Sequence, residues 1–409
     1  MSDTGGGFTD EAIEALLAPA IRRLPPPTSL SPLPYDLNAG VPDRDTLPWE
    51  ILADAARDAL AEDPGGALTY GGTMGYEPLR AWIAARQSAE TGLDVTSAHV
   101  TLTAGSAQGI DNLAAAFIAP GDVVVTGAPT YPGAIRTFRA RGAVVIDVPQ
   151  DDDGMIMPAL ERVLETRRMT GQQAKLIYVT ANYDNPSGST LPLERREALV
   201  RIARAHGVLI LEDDAYTGID LDGPPPRSLF SIAGGNGILR CGTFSKTIAT
   251  GLRVGWTVAD PAITRRLAFA RFDNGASPFL HRMVLKYLES GAFDPHVQML
   301  CDLYRERRDV CAQALMDFAE PYVTFRRPAG GFFFWLHLRP GLTGQAVFEA
   351  AARHGVAVTP GTGYYANGGG EDRVRLVFSA LPPEELRMAI AAFAEGLAEA
   401  ASAVGASAR

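Results

Sequence analysis

Lysine is nearly absent from this chain: of 409 residues and 37 basic side chains, only Lys175, Lys246 and Lys286 are lysines, the rest of the positive charge being arginine. A guanidinium stays protonated in proteins, whereas a desolvated lysine can lose its proton and condense with a carbonyl. A lysine kept among so many arginines therefore points to amine chemistry. Cysteine is scarce too. Cys241, Cys301 and Cys311 have no metal-ligand spacing and cannot all pair, which excludes a disulfide scaffold and fits packing roles in a reducing compartment. Long hydrophobic runs are missing: no stretch of about 18 apolar residues occurs, and residues 1–7 have neither the basic nor the apolar region of a leader, so a soluble, cytoplasmic protein is expected. Charge blocks are missing as well. The net charge of −10 is spread along the chain, and the longest acidic run, Asp151-Asp152-Asp153, reads as a turn before Gly154. Nucleic acid and anionic membrane are thus not expected as partners. His206, His281 and His296 show no ligand spacing; no metal site is expected, and these histidines read as satisfied structural residues.

What is present is an alternation of strand and helix signals. A hydrophobic fraction of 46% and a guide of about 150 residues per domain indicate two intimately packed domains. Residues 10–24 read as an amphipathic helix, and the proline-rich stretch 25–34 as an extended arm. Short apolar runs follow at residues 99–103, 122–126, 144–148, 175–180, 208–212, 238–242 and 254–258, most of them separated by helix-length segments. That order predicts an α/β fold, a doubly wound, mostly parallel sheet with helices on both faces. From residue 292 to 318 the pattern is a long charged helix with residues 302–308 as its solvated face. Strands at 323–326, 332–338 and 373–379 and an alanine-rich closing helix make a smaller α+β unit, with 401–409 a frayed tail. The resulting division is an N-terminal helix and arm over 1–47 belonging to the small domain, a large domain over 48–290, and a small domain over 291–409.

In an open parallel sheet, ligands gather at the carboxyl ends of the strands. Four short motifs fall there. Ala104-Gly105-Ser106-Ala107-Gln108 opens a helix, where free amides and the helix dipole attract an anion. Asn182-Tyr183-Asp184-Asn185-Pro186-Ser187-Gly188 follows the run at 175–180. Asp213-Asp214-Ala215-Tyr216 follows the next, and Gly242-Thr243-Phe244-Ser245-Lys246 the one after, with Arg253 seven residues beyond Lys246.

Together these motifs resemble the class I/II aminotransferases of pyridoxal phosphate fold type I. The family pattern Asn-Pro-x-Gly, then Asp-x-Ala-Tyr, then Ser/Thr-x-Ser-Lys with a following arginine is matched in order, and the resemblance covers nearly the whole chain. It looks closest to the branch of 2-aminoadipate-type and similar broad enzymes. The resemblance implies that Lys246 holds the cofactor as a Schiff base and then moves the substrate proton, and that Asp213 pairs with the pyridine nitrogen. Asn185 and Tyr216 would hold the ring's phenolic oxygen, and Tyr131 would stack on the ring. The phosphate would lie against Ser106, the Ala107 amide, Thr243, Ser245 and Arg253, with Tyr70 reaching it from a second subunit, so a homodimer is implied. Arg375 would grip the α-carboxylate of the amino acid or 2-oxo acid, with Gly40 and Asn185 beside it. Asp214 carries no implied role.

The chain departs from the family in having Ala107 and Asp184 where glutamine is common and Thr250 where proline is. Asp184 beside Asn185 would set a carboxylate near the cofactor face and disfavour acidic substrates. The same cage also supports elimination, γ-replacement, cyclisation or oxidation. A regulator with an aminotransferase-like sensor is a further alternative; it would need a basic DNA-binding module ahead of the motifs, for which there is no room. Arg22 and Arg23 read as cations closing the first helix, with contact to a substrate's second carboxylate as the alternative.

Overall fold

In the computed structural model, residues 8–22, 24 and 33–407 are described, with side chains up to residue 404. Among them the strands run in chain order as β1 (Tyr35–Asp36), β2 (Val100–Thr103), β3 (Val123–Ala128), β4 (Val144–Asp151), β5 (Gly154–Met155), β6 (Ala174–Val179) and β7 (Leu209–Asp213), then β8 (Ile238–Thr243), β9 (Gly255–Val258), β10 (Val323–Thr324), β11 (Phe333–Leu338), β12 (Val356–Ala357), β13 (Thr359–Pro360) and β14 (Arg373–Val377).

Eight of these strands form one sheet in the order β2-β9-β8-β7-β6-β3-β4-β5. From β8 to β4 all neighbours are parallel, whereas β9 runs antiparallel between β2 and β8. The central parallel strands β3, β6, β7 and β8 are mostly apolar and buried because both faces are covered. Successive residues point to opposite faces: Val123, Val125, Ile177 and Ile210 join one buried cluster, while Val124, Leu176, Tyr178 and Leu211 join another beneath the helices Ser106–Phe117 and Pro132–Ala140. Chain order reverses between β3 and β6, so the carboxyl ends of β3, β6, β7 and β8 surround the crevice where such sheets bind ligands.

A second sheet, β10-β11-β14-β13, is antiparallel and packs on the helices Phe293–Phe318, Gly344–Arg353 and Pro383–Ser407. The chain's early segment joins this unit. Tyr35 and Asp36 pair in parallel with Val356 and Ala357, and the Val377 amide donates to the Leu37 carbonyl at 2.9 Å. The segment is anchored further by the Tyr304 hydroxyl, which accepts from the Asp43 amide at 3.0 Å, and by the buried Arg307–Asp43 ion pair.

Several expectations need correction. The first helix is two pieces, Asp10–Leu16 and Pro19–Arg22, with Leu17 extended at ψ 143°. Pro19 fits the break, since inside a continuous helix it would lack an amide hydrogen bond and clash with the carbonyl of residue 15. Arg23 and residues 25–32, with the prolines at 25, 26, 27 and 32, lie outside the described residues. Residues 302–308 are not a solvated face: Tyr304, Arg307 and Arg308 are buried. The two arginines are tolerated inside because Asp43 pairs with one, and Asp222 and Asp309 with the other. The tail is helical through Ser407, continuing an alanine-rich run of high helix propensity. His281, expected to be satisfied, is buried with no hydrogen-bond partner on either ring nitrogen. Burial lowers its pKa to about 4, so it stays neutral, which is the tolerable state for an unpaired imidazole.

Candidate active site

The parallel strands β3, β6, β7 and β8 each lead into one part of the site. The loop after β8 carries Lys246, whose Nζ donates to the Gly40 carbonyl at 2.9 Å. Gly40 fits there because any side chain would strike the Phe333 ring at 2.9 Å. Burial, with the guanidinium charges of Arg253 and Arg375, lowers the Lys246 pKa to about 8 against the pull of Asp213. A neutral amine is thus accessible near physiological pH. The other two lysines differ in kind: Lys175 pairs with Asp122 at 2.6 Å and Lys286 with Glu62 at 2.5 Å, both on the surface.

Asp213 ends β7 and is fully enclosed. Its Oδ2 accepts from the Tyr178 hydroxyl at 2.7 Å, while its Oδ1 is buried without a partner among the described residues. Burial raises this carboxyl to about 6. An orphaned buried carboxylate oxygen costs free energy unless a donor arrives from outside the chain, and a protonated ring nitrogen is such a donor. The pyridoxal ring therefore fits this carboxylate.

An anion cradle lies beside it. The helix Ser106–Phe117 begins at Gly105, whose φ of +81° and missing side chain let the Arg253 guanidinium approach; a Cβ would sit 2.4 Å from Nη2. Arg253 is itself left-handed at φ 50° and donates to the Ala104 carbonyl at 3.0 Å, the Thr250 carbonyl at 3.1 Å and Ser245 Oγ at 3.4 Å. Thr243 Oγ1 donates to Ser245 Oγ at 2.8 Å. Helix-terminal amides, two hydroxyls and a guanidinium converge as a phosphate requires.

On the far side, Arg375 of β14 is buried against the Phe333 ring at 4.6 Å and the Tyr364 ring at 5.4 Å. Its Nη1 donates to Asn185 Oδ1 at 3.0 Å and its Nη2 to the Asn38 carbonyl at 2.5 Å, while Nε has no partner. Tyr131 stands at the start of the helix Pro132–Ala140, and Tyr216 packs edge-on against Phe332 and Phe333.

Together these groups line a cavity of about 230 Å³. Gly40, Ser106, Ala107, Tyr131, Asn185, Asp213, Tyr216, Thr243, Ser245, Lys246, Arg253 and Arg375 all face it. Thr180, Ala215, Thr250 and Phe333 line it as well, although sequence reasoning did not select them. The strand alternation of residues 332–338 was the one available signal for Phe333. Tyr70 is not brought to this cavity by its own chain. It is 86% exposed, near Leu68 and residues 274–279.

Two acids behave differently from expectation. Asp184 does not line the cavity: it is buried among its own turn, accepting from Ser187 Oγ at 2.7 Å, and burial raises its pKa to about 7. The argument that it repels acidic substrates loses its basis. Asp214 is a structural partner, accepting from Arg240 Nε at 2.8 Å and from Asn182 Nδ2 at 3.1 Å. Burial pushes its carboxyl up, but the Arg240 guanidinium together with the hydrogen bonds from Thr217, Asn182 and Arg240 holds it low.

This doubly wound sheet, with its lysine, orphaned carboxylate and anion cradle, defines a pyridoxal phosphate enzyme of fold type I. Residues 34–393 match the family Aminotransferase class I and II, and the chain belongs to that family. An aromatic-amino-acid aminotransferase of Thermococcus litoralis is 32% identical over 89% of this chain and 88% of its own length. A 2-aminoadipate transaminase of Thermus thermophilus is 34% identical over 84% of this chain and 85% of its own. The structure of a kynurenine aminotransferase from Pyrococcus horikoshii, in complex with PMP, superposes with a TM-score of 0.88 at 29% identity, covering 95% of this chain and 98% of that one. The chain is thus an aminotransferase, moving an amino group between an amino acid and a 2-oxo acid with pyridoxal phosphate as cofactor.

Proposed function

We propose that this aminotransferase acts on neutral, preferably aromatic, amino acids, and that the cavity residues divide its work. The observation that carries the reading is the placement of Arg375 and Asn185 across one cavity from Lys246 and Asp213. Pyridoxal phosphate supplies, when bound, a carbonyl for the amine and a ring that accepts electrons. Lys246 would carry it covalently and, once released by the substrate amine, take and return the proton at the substrate carbon, for which a pKa of about 8 is suited. Asp213 would hold the proton of the ring nitrogen. Tyr131 would stack on the ring, while Tyr216 and Asn185 hold its phenolic oxygen. Ser106, the Ala107 amide, Thr243, Ser245 and Arg253 would bind the phosphate. Arg375 would bind the α-carboxylate beside Gly40, its unpartnered Nε being a spare donor.

The preference for neutral donors rests on the lining. Tyr131, Tyr216 and Phe333 supply aromatic surface, and among the described residues the cations facing the cavity are Lys246, Arg253 and Arg375, each already assigned. Arg22 does not add one, since its Nη2 donates to the Ala15 and Leu17 carbonyls at the end of the preceding helix at 2.7 and 3.1 Å. The names of the aromatic-amino-acid and kynurenine relatives support the same class.

The active form would be a homodimer in the cytoplasm. Tyr70 and Leu68, exposed at 86% and 71% beside residues 274–279, offer apolar surface suited to a second copy, from which Tyr70 would reach the partner's phosphate cradle. The small unit, residues 1–47 and 291–409, would bring Arg375 to the large domain, 48–290. A panel of amino donors with phenylalanine, tyrosine, kynurenine, leucine, 2-aminoadipate and glutamate tests the reading, which requires the highest kcat/KM among the neutral donors.

A further inference from the structure

Asp213 is held by a neighbour that carries no charge. Tyr178 lies on β6 and pairs in register with Leu211 of β7, so its ring points to the same sheet face as Leu211 and Asp213. The ring is fully buried and meets Phe138 edge-on, with centroids 5.9 Å apart, which fixes its orientation. From that position the hydroxyl donates to Asp213 Oδ2 at 2.7 Å, and only Oδ1 is left without a partner.

On the reading of Asp213 given above, we infer that Tyr178 is the positioning residue of the cofactor's ring nitrogen, aiming Asp213 Oδ1 and keeping the carboxylate ionised. The choice of residue type follows from what the nitrogen needs. Burial works against the ionised form of Asp213, so some donor has to favour it. An arginine or lysine would do so but would also neutralise the charge that the pyridinium must feel. A phenol gives a hydrogen bond to the carboxylate and leaves the full charge for the ring. Burial and the adjacent Asp213 charge drive the Tyr178 pKa well above its usual value, so the proton stays on tyrosine and the direction of the bond is fixed. A phenylalanine would fill the same space, and the hydroxyl is therefore there for the bond it makes.

The test uses the holoenzyme loaded with pyridoxal phosphate labelled with nitrogen-15 in the ring. In Tyr178→Phe the ring-nitrogen resonance is expected to move toward the unprotonated position, and the amino-transfer half-reaction to slow at least tenfold with the amino-acid KM unchanged. Phe138→Leu, which disturbs the same packing and keeps the hydroxyl, should leave the resonance in place, and thermal melting checks that both variants are folded. A resonance unmoved in Tyr178→Phe but moved in Asp213→Asn overturns the inference alone, as does an equal movement in Phe138→Leu. A resonance unmoved in Asp213→Asn would instead overturn the assignment of Asp213 itself.

Discussion

Arg375 Nη1 donates to Asn185 Oδ1 at 3.0 Å, joining residues 190 positions apart, one on β14 and the other in the turn that follows β6. The guanidinium is thereby oriented before any substrate arrives, with the Phe333 and Tyr364 rings 4.6 and 5.4 Å from it. Pre-orientation of a fork-shaped cation favours a carboxylate over other anions.

Arg375→Lys should therefore lose more than charge. The expected cost is on the order of 2–4 kcal/mol in kcat/KM for every amino acid donor, expressed mainly in KM, since a lysine cannot pair with Asn185 and a carboxylate together. Steady-state kinetics checks this. A loss confined to one donor would mean that Arg375 reads the side chain instead.

Lys246→Ala should abolish turnover, and borohydride reduction of the wild-type enzyme should label Lys246 alone, because Lys175 and Lys286 are held in surface ion pairs. Peptide mapping decides it. Label on either of the other lysines would refute the assignment. With the Lys246 pKa at about 8 in the cofactor-free protein, its reaction with a small aldehyde should rise with pH through that value.

The adjacent acids should fail in opposite ways. Asp213→Asn should cost on the order of several kcal/mol in transition-state stabilisation while leaving the melting temperature near wild type. Asp214→Asn should instead destabilise the fold by about 3–5 kcal/mol, because it leaves the Arg240 guanidinium buried and short of charge. Calorimetry and kinetics on both variants separate the two, and equal kinetic losses at equal stability would show the motif placed one residue out.

Asp184 gives a pH signature. Its pKa rises from an ordinary value of 3.8 to about 7 in the folded chain, so between those values the folded state binds the extra proton. Stability contributed by this group is full below the unfolded value and declines as pH rises toward 7. Asp184→Asn should flatten that decline, gaining on the order of 3 kcal/mol at pH 8 relative to wild type when both are compared with pH 4. Urea unfolding at the two pH values measures it. A slope unchanged in the variant would assign the decline to other groups.

Arg22→Ala should leave kcat/KM for aromatic and acidic donors unchanged within about twofold, as expected for a guanidinium that caps the end of the helix before its own. A selective loss with 2-aminoadipate or glutamate would make it a specificity element and reverse the proposed preference for neutral donors.

Much of this site could be read from sequence because each strand ends where its chemistry begins. Asp213, Asn185 and Lys246 sit at or just beyond strand ends, and local motifs place them there. Arg375 needed the resemblance, since nothing local says what a β14 arginine faces. The misreadings share a cause: side-chain direction depends on distant partners. Arg307 and Arg308 look solvated until Asp43 and Asp222 meet them, Asp184 looks like a cavity group until its own turn folds around it, and Tyr178 looks like one more apolar strand residue until Asp213 stands beside it. The antiparallel course of β9 was equally hidden, because a short apolar run carries no sign of its direction.

The stretch of residues 35–43 binds on one side to β12 and on the other to the end of β14, and it presents the Gly40 carbonyl to Lys246. Those early residues leave the ribosome long before residues 356–379 exist to receive them. The reactive amine can thus gain its final surroundings only when the last third of the chain has been made, so a truncated chain would carry the complete lysine motif and still lack a finished catalytic centre.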